Sequence, residues 1–538
     1  MANPQHSERR YDVVFIGAGH NALVAACYLA KAGRSVCLLE RAPVPGGWVR
    51  SEELTLPGFV HDTYSAMHPT LANGPVWAEL GADLSARGLR YLNGPVATGA
   101  SLPDGRSMVV PTDRADLAAE LERLGETAAW GRLMADMAPY LATVPALLGM
   151  DLTSPEAGEL LGPLLREGPG YALPPSDLFA GRGLDIGARF GTEELRSAVL
   201  PWLLHLGLGP ADPGGALWAA LVPALLSGGN PTPEGGSGRL TDALCALLAD
   251  HGGVLHTGVE VDRILLEGDR ASGAVATDGT SVLGTHVVAS TTPDLLYGRL
   301  LRDVPVPAPV RDQAGRYTHR RGCVQISLAL SARPRFTDSR LDAGGGINLG
   351  RGIDDLVTSV RQAEAGLLPS HPSISWHEPT ALDPGRAPEG RAVVRVQVLD
   401  APLRPTGDAA GEVRADGTWT ASLAEAFADR AIAEASLHVK DLESLVLARH
   451  VLHPGDLASS NPNAGPGDHA SGHNALDQAF LHRPIPAHGG GYATAVPGLF
   501  LIGAATWPGP GIGGLSGRAV AKALLAGTPV AEDSPTGS

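Results

Sequence analysis

The sequence predicts an α/β fold of two domains: a doubly wound domain assembled from both ends of the chain, with an α+β domain inserted between them. Three observations predict it. Residues 12–22 read Asp-Val-Val-Phe-Ile-Gly-Ala-Gly-His-Asn-Ala, an apolar run closing on a glycine-rich turn. Residues 499–517 carry a second such run, Leu-Phe-Leu-Ile-Gly-Ala-Ala-Thr-Trp-Pro-Gly-Pro-Gly-Ile-Gly-Gly-Leu-Ser-Gly. Between about 59 and 229 the text changes to many prolines, scattered glycines and short helical patterns.

Taken in order, 11–16 is a continuous apolar run suited to a parallel strand buried on both faces. Residues 21–32, rich in alanine and leucine, predict a helix that Gly33 ends. Residues 35–40 complete a βαβ unit, and Pro45-Gly46-Gly47 can continue neither element. Helical patterns follow at 114–124 and 130–148. Gly235-Gly236-Ser237-Gly238 precedes a helix at 240–251. Strands at 254–261, 263–266, 271–277 and 286–290 then mark a return to the first domain. Two β-rich runs, 323–330 and 392–399, and a long helix at 421–438 suggest a second visit to the inserted domain. The last return begins near Leu445 and ends with a strand at 499–502 and a helix at 516–525; the tail after Thr528 is polar and expected to be loose. The division is therefore 1–58, 231–295 and 446–538 against 59–230 and 296–445, with no internal repeat.

A chain of 538 residues calls for two or three hydrophobic cores. With 44% hydrophobic and 18% charged residues it reads as globular rather than disordered. The net charge of −16 argues against nucleic acid, since phosphate binding wants a basic face. Lys31, Lys440 and Lys522 are the only lysines, a sign of genomic base composition. Cys27, Cys37, Cys245 and Cys323 have no Cys-x-x-Cys or zinc spacing. The first ten residues lack the apolar run of a signal peptide, so the cytoplasm is the expected location. No stretch reaches the ~20 uninterrupted apolar residues of a bilayer span. The nearest, 201–226, is broken at 209–215 and suits a pocket lining or a peripheral membrane contact.

Gly17-x-Gly19-x-x-Ala22 between a strand and a helix has the form of a Rossmann-type dinucleotide cradle. The first glycine permits the tight turn, the second lets the backbone approach a pyrophosphate, and the small third residue lets helix and strand pack closely. The helix N-terminus then offers free amides and a positive dipole end to phosphate. Glu40 ends the second strand, where a carboxylate accepts ribose hydroxyls. An NAD enzyme needs no glycine doublet such as Gly46-Gly47 so soon afterwards; FAD proteins of the two-domain oxidase type use one near the diphosphate and ribitol. Residues 509–514 repeat the glycine pattern, but no second acid-ended strand follows them. They read instead as a helix N-terminus aimed at the pyrimidine edge of a flavin, where reduction places negative charge. FAD is the cofactor expected.

These motifs together resemble the phytoene-desaturase-like FAD oxidoreductases, a family of carotenoid desaturases, isomerases and their relatives. The resemblance runs nearly end to end: Gly17 to Ala22, Glu40-Arg41, Gly46-Gly47 with Ser51-Glu52-Glu53, Gly235-Gly236, Glu260-Val261-Asp262-Arg263, Pro379 to Pro384, Leu476-Asp477-Gln478, Arg483-Pro484 and Gly503 to Gly517. It implies a Rossmann-type FAD-binding domain with an inserted α+β substrate domain. The cofactor contacts it implies are Gly17, Gly19, His20, Asn21, Ala22, Glu40, Arg41, Gly46, Gly47 and Trp48, with Val261 on the adenine side and Ser290 near the nucleotide. Gly503 and Ala504 would also contact the cofactor, and Gly513, Gly514 and Leu515 would lie beside the isoalloxazine. Trp48 stands where carotenoid desaturases often carry arginine, a departure that bears on the substrate rather than on the flavin.

Flavin dehydrogenation moves a hydride to the cofactor, so the protein need only position the substrate and take a proton. His61 and Tyr64, just after the glycine doublet, and His473 are the candidates for substrate contact or a base, against a structural role for each. His469 and His473 have helical spacing for a metal pair, but Pro466-Gly467-Asp468 predicts a loop there and no metal site is expected. The activity expected is hydride abstraction from an apolar or aromatic small molecule, with oxygen or a quinone as electron acceptor. A redox-neutral polyene isomerase and a non-catalytic lipid carrier, like the escort proteins of prenylated GTPases, are the alternatives. A homodimer is compatible with all three.

Overall fold

The structure, a computed structural model, describes residues 10–166 and 172–527. The expected loose tail and most of the N-terminus lie outside them. Two seven-stranded sheets organise the chain. In the first, Arg10–Ile16 lies between Val36–Glu40 and Ser281–Ala289, all three parallel, and Val254–Thr257 extends the parallel set beyond Val36–Glu40. Ser281–Ala289 is shared: its start pairs antiparallel with Arg270–Ala276, while Val287 to Ala289 pair in parallel with Leu499–Leu501. The two ends of the chain therefore meet in one sheet. Alternation buries both faces, as a parallel sheet requires. Val13, Phe15, Val36 and Leu38 meet helices His20–Lys31, Gly238–Asp250 and Leu515–Ala526. Val14, Ile16, Cys37 and Leu39 pack with Leu296, Tyr297, Leu300 and Val310 on the other side.

The second sheet runs Val446–Leu452, Arg321–Leu330, Ala392–Pro402, Ile374–His377, Gly346–Leu349, Val96–Ser101 and Ser107–Pro111. Its back is apolar. Val324, Ile326, Leu328, Val394, Val396 and Val398 pack with Leu423, Phe427, Ala431 and Ile432 of helix Ala421–Ser436. A third, helical core gathers Leu133, Met137, Leu200, Leu204, Leu217 and Leu221 around the remaining side of the molecule.

Several expected boundaries move. Val446–Leu452 pairs with Arg321–Leu330, so the final return to the first sheet comes after this strand and not at 446. Residues 296–315 and helix Pro75–Ser85 pack on cores of the first sheet, because their apolar faces have no other surface to cover. The helix expected at 130–148 is two, Thr127–Leu141 and Val144–Leu147. The strands expected at 254–261 and 263–266 are Val254–Thr257 and Val261–Glu267, separated by a turn at Gly258, whose φ is +71°.

Candidate functional site

A deep cleft of about 430 Å³ opens at the carboxyl ends of the parallel strands and extends to the front of the second sheet. Ligands of doubly wound sheets bind at that edge, where strand ends and helix N-termini converge. Ile16 and Gly17 lead into helix His20–Lys31, whose first turn has neither a side-chain cap nor an acidic residue. Its orphan amides are left for a ligand. Gly17 adopts φ +92°, open to glycine at no steric cost. Its amide donates to the Leu39 carbonyl (2.8 Å), and Gly46 donates to Ala18 (2.8 Å), forming a parallel bridge between Gly19 and Gly46. A Cβ at Gly46 would overlap Thr241, and one at Gly47 would stand 3.4 Å from the Cα of Gly19. The doublet is thus pressed against the cradle because neither residue has a side chain.

Glu40 lines the cleft and accepts hydrogen bonds from the amides of Ala18 (2.7 Å) and Ala42 (2.8 Å), one on each carboxylate oxygen. It therefore braces the turn, and each oxygen keeps a lone pair for a hydroxyl donor. Arg41, Trp48, Val261, Ser290, His20 and Asn21 also line the cleft. Ser290 is tied to Ile16 through its amide, and Asn463 donates to the Ser290 carbonyl (3.0 Å) while accepting from Thr292 (3.1 Å). Ala22 is fully buried in the helix–sheet core and does not reach the cleft.

The C-terminal segment joins the same site. The amide of Gly503 donates to Ser516 Oγ (3.1 Å), Ser516 donates to Asn21 Oδ1 (3.1 Å), and Asn21 donates to His20 Nε2 (3.0 Å). Gly503 and Ala504 face the cleft together with Pro510, Gly511 and Ile512. Gly513, Gly514 and Leu515 do not. A Cβ at Gly513 would crowd Thr70, Gly514 sits at φ +67° against Val24, and Leu515 is buried in the helical core. Gly517 lies so close to helix His20–Lys31 that a Cβ would overlap the Asn21 carbonyl oxygen. These later glycines bring two helices into contact; the stretch that lines the cleft is 510–512. Arg483, fully buried, holds the loop by donating to the carbonyls of Ala504 (2.5 Å), His473 (2.9 Å) and Thr506 (3.3 Å).

On the opposite side Trp48 stacks on Tyr64 at 5.7 Å, and Trp202 lies 5.0 Å from His205. Leu206, Val222, Leu225, Leu226 and Leu399 complete an apolar end. The expected apolar stretch at 201–226 is the turn Leu200–Leu206 and the helix Gly215–Leu226, both packed inward. Tyr64 lines this region; His61 and His473 do not. His61 faces Thr55 Oγ1 at 2.8 Å, and burial pushes its pKa down to about 4. His473 accepts from the Ala475 amide at Nδ1 (3.2 Å) and uses Nε2 on Thr318 (2.8 Å), so both nitrogens are committed to a turn. Burial lowers it also to about 4. No cluster able to hold a metal ion occurs among the described residues.

Side chains outside the cofactor motifs also reach the cleft. Gln325, Arg395 and Gln397 project from the front of the second sheet, and Asn230, His205 and His469 stand nearby on its lining. Gln397 donates to Gln325 (2.9 Å), which donates to the carbonyl of Thr63 (2.8 Å). His205 is held down to about 3 by burial and by the neighbouring Arg395, and burial keeps His20 at about 4. Both are neutral. His469 uses Nε2 on the Leu204 carbonyl (2.9 Å), leaving its buried Nδ1 lone pair without a partner. The signal for the sheet residues was present in Arg395-Val396-Gln397-Val398, a period of two with one polar face.

Uncapped helix amides, side-chain-free glycines and an acid-ended strand at one mouth, with an apolar chamber beyond, define an FAD-dependent oxidoreductase of the two-domain kind. Residues 23–525 match the flavin-containing amine oxidoreductases, and the chain belongs to that family as a phytoene-desaturase-like FAD oxidoreductase. It is 28% identical to mouse pyridine nucleotide-disulfide oxidoreductase domain-containing protein 2, over 96% of this chain and 93% of that protein. It is 31% identical to phytoene dehydrogenase of Streptomyces griseus, over 70% and 71% respectively. Among solved structures, cyclohexylamine oxidase from Brevibacterium oxydans shares the fold with a TM-score of 0.55 at 17% identity, covering 96% of this chain and 99% of that one.

Proposed function

We propose that this enzyme dehydrogenates an apolar small molecule held between the cofactor cradle and the chamber of Trp202, Leu206, Val222 and Leu225, and that electrons leave to oxygen or a quinone. The observation that carries this reading is the continuity of the two: an apolar, aromatic-walled chamber opens directly into the cradle. FAD, when bound, supplies the hydride acceptor. The cradle amides and Glu40 hold the nucleotide, while Trp48 and Tyr64 bound the chamber and exclude water. The relation to a Streptomyces phytoene dehydrogenase supports an apolar substrate.

The test is anaerobic titration of the yellow holoenzyme with apolar candidates, including isoprenoid hydrocarbons and their hydroxylated or carboxylated forms. Bleaching of the flavin absorbance, reversed by oxygen or a soluble quinone, is expected. Isomerisation of a polyene by the pre-reduced enzyme, with no bleaching by any candidate, would overturn the proposal.

A further inference from the structure

Four arginines line the cleft, and three have partners. Arg50 pairs with Glu52 (2.6 Å), Arg299 pairs with Glu260 (2.6 Å), and Arg41 donates to the carbonyls of Ser459 and Ser460 (both 3.2 Å). Arg395 differs. It is 6% exposed, and no carboxylate lies within 4.0 Å of it among the described residues. Its Nη1 donates to the Tyr64 carbonyl (2.5 Å), while its buried Nε has no partner and no bond to Nη2 is found.

The surroundings do not neutralise it. Asp62, the nearest buried acid, is taken by Arg386 at 2.9 Å and further by the amide of Ser237 (2.7 Å) and Ser51 Oγ (2.8 Å). Cys323 beside it is buried with its thiol pushed up to about 12, hence neutral. His205 and His377 are both held at about 3, hence neutral. A buried guanidinium without a counter-ion costs several kcal/mol. Nε is shut in by the packing, so Nη2, which carries the charge and has no hydrogen bond, is the donor left for an anion in the cleft. A second polar group on the same lining is also unsatisfied: Asn230 is buried with neither amide atom bonded.

We propose that the chamber takes an apolar molecule bearing a carboxylate, with Arg395 supplying the counter-charge from the front of the second sheet and the hydrocarbon portion lying in the apolar chamber. The assignment rests on the dehydrogenase reading only for the reaction; the anion site itself is a property of the protein. It makes the substrate an isoprenoid or fatty acid rather than a hydrocarbon, and it makes Gln397, Arg395's neighbour two positions along the strand, a further polar wall for the head group.

Holoenzyme is titrated by calorimetry and by tryptophan fluorescence, since Trp48 and Trp202 line the cleft, with dodecanoate, dodecanol, dodecylamine and dodecyl phosphate as probes. Dodecanoate should bind about tenfold or more tightly than dodecanol, the scale of a charge-assisted hydrogen bond. Arg395→Met should bring the two within about twofold, and Arg395→Lys should retain part of the preference because it keeps the charge on a shorter, differently placed donor. Equal affinities in the wild type, a preference that survives Arg395→Met, or tighter binding of dodecyl phosphate than dodecanoate would overturn the proposal. If Arg395→Met fails to fold, the wild-type ratio and Arg395→Lys decide. Carboxylate preference without bleaching by any carboxylate or hydrocarbon would remove the dehydrogenase reading alone; bleaching by hydrocarbons without carboxylate preference would remove the anion site alone.

Discussion

On the cradle side of the cleft the lining is rich in glycine: Gly17 and Gly19, Gly46 and Gly47, and the turn from Gly503 to Ile512, with Glu40, His20 and Asn21 among them. On the side of the second sheet it is side chains: Gln325, Arg395, Gln397, Trp202, His205 and His469. The contrast extends to buried charge. Arg386 and Arg395 stand on the same side of the molecule, both nearly inaccessible, yet only Arg386 has its carboxylate. A main-chain site depends on backbone conformation rather than on the identity of particular side chains. A side-chain wall with an unbalanced charge can discriminate among ligands by their chemistry.

The largest expected effect tests the main-chain side. Gly19 has an ordinary φ, and a Cβ there meets nothing nearer than Ser290 Oγ at 3.9 Å. Gly19→Val should therefore fold, with an apoprotein Tm near that of wild-type apoprotein, and lose more than about nine-tenths of its flavin, because the side chain takes the space the pyrophosphate needs. Full flavin content by absorbance would show that the cradle is not main-chain. Next come the two arginines. Asp62→Asn leaves Arg386 uncompensated and should cost about 3–5 kcal/mol in denaturant unfolding, whereas Arg395→Met removes a charge that has no partner and should fall within about 1 kcal/mol of wild type or above it. Equal losses in the two variants would erase the distinction between them.

A pH dependence follows from the same burial. His20, His61, His205 and His377 have folded pKa values of about 3 to 4, well below the ordinary imidazole value. Their contribution to stability is complete above pH ~6.5 and is lost as pH falls from there towards 4, because the unfolded chain binds protons first. Asp62, whose pKa the Arg386 guanidinium lowers against its burial, adds stability above pH ~4 that disappears at still lower pH. Thermal melts across pH 4–8 should fall steadily below 6.5; a flat profile would mean that these imidazoles are not buried neutral. The smallest effect is expected of His473→Gln, which touches only a turn and should lower Tm modestly while leaving flavin content and kcat unchanged. A fall in kcat with unchanged Tm would return His473 to the site.

Much of the cradle was legible before folding. Strand Arg10–Ile16, helix His20–Lys31, strand Val36–Glu40 and the glycine doublet lie within one short stretch, and each needs a residue type that local chemistry dictates: glycine for positive φ or close approach, a carboxylate at the strand end. The convergence of both chain ends was legible for the same reason. The C-terminal glycines show the limit. Gly503, Gly511, Gly513, Gly514 and Gly517 look alike in a sequence, but some face a ligand and others let helix Leu515–Ala526 lie against helix His20–Lys31. A glycine records that something comes close, not what.

The order of residues along the chain was thus enough to establish the cofactor class, since that depends on neighbours within one βαβ unit and on backbone conformations that few residues can adopt. Which side chains wall the far part of the cleft was decided only by tertiary structure. Arg395, Gln325, His205 and His469 come from four separate parts of the chain, and each becomes unusual only through what surrounds it. Arg395 reads as a common polar residue in a strand of valines until packing removes it from water and gives the nearest acid to Arg386, because burial and pairing are properties of the assembled fold and not of any single segment.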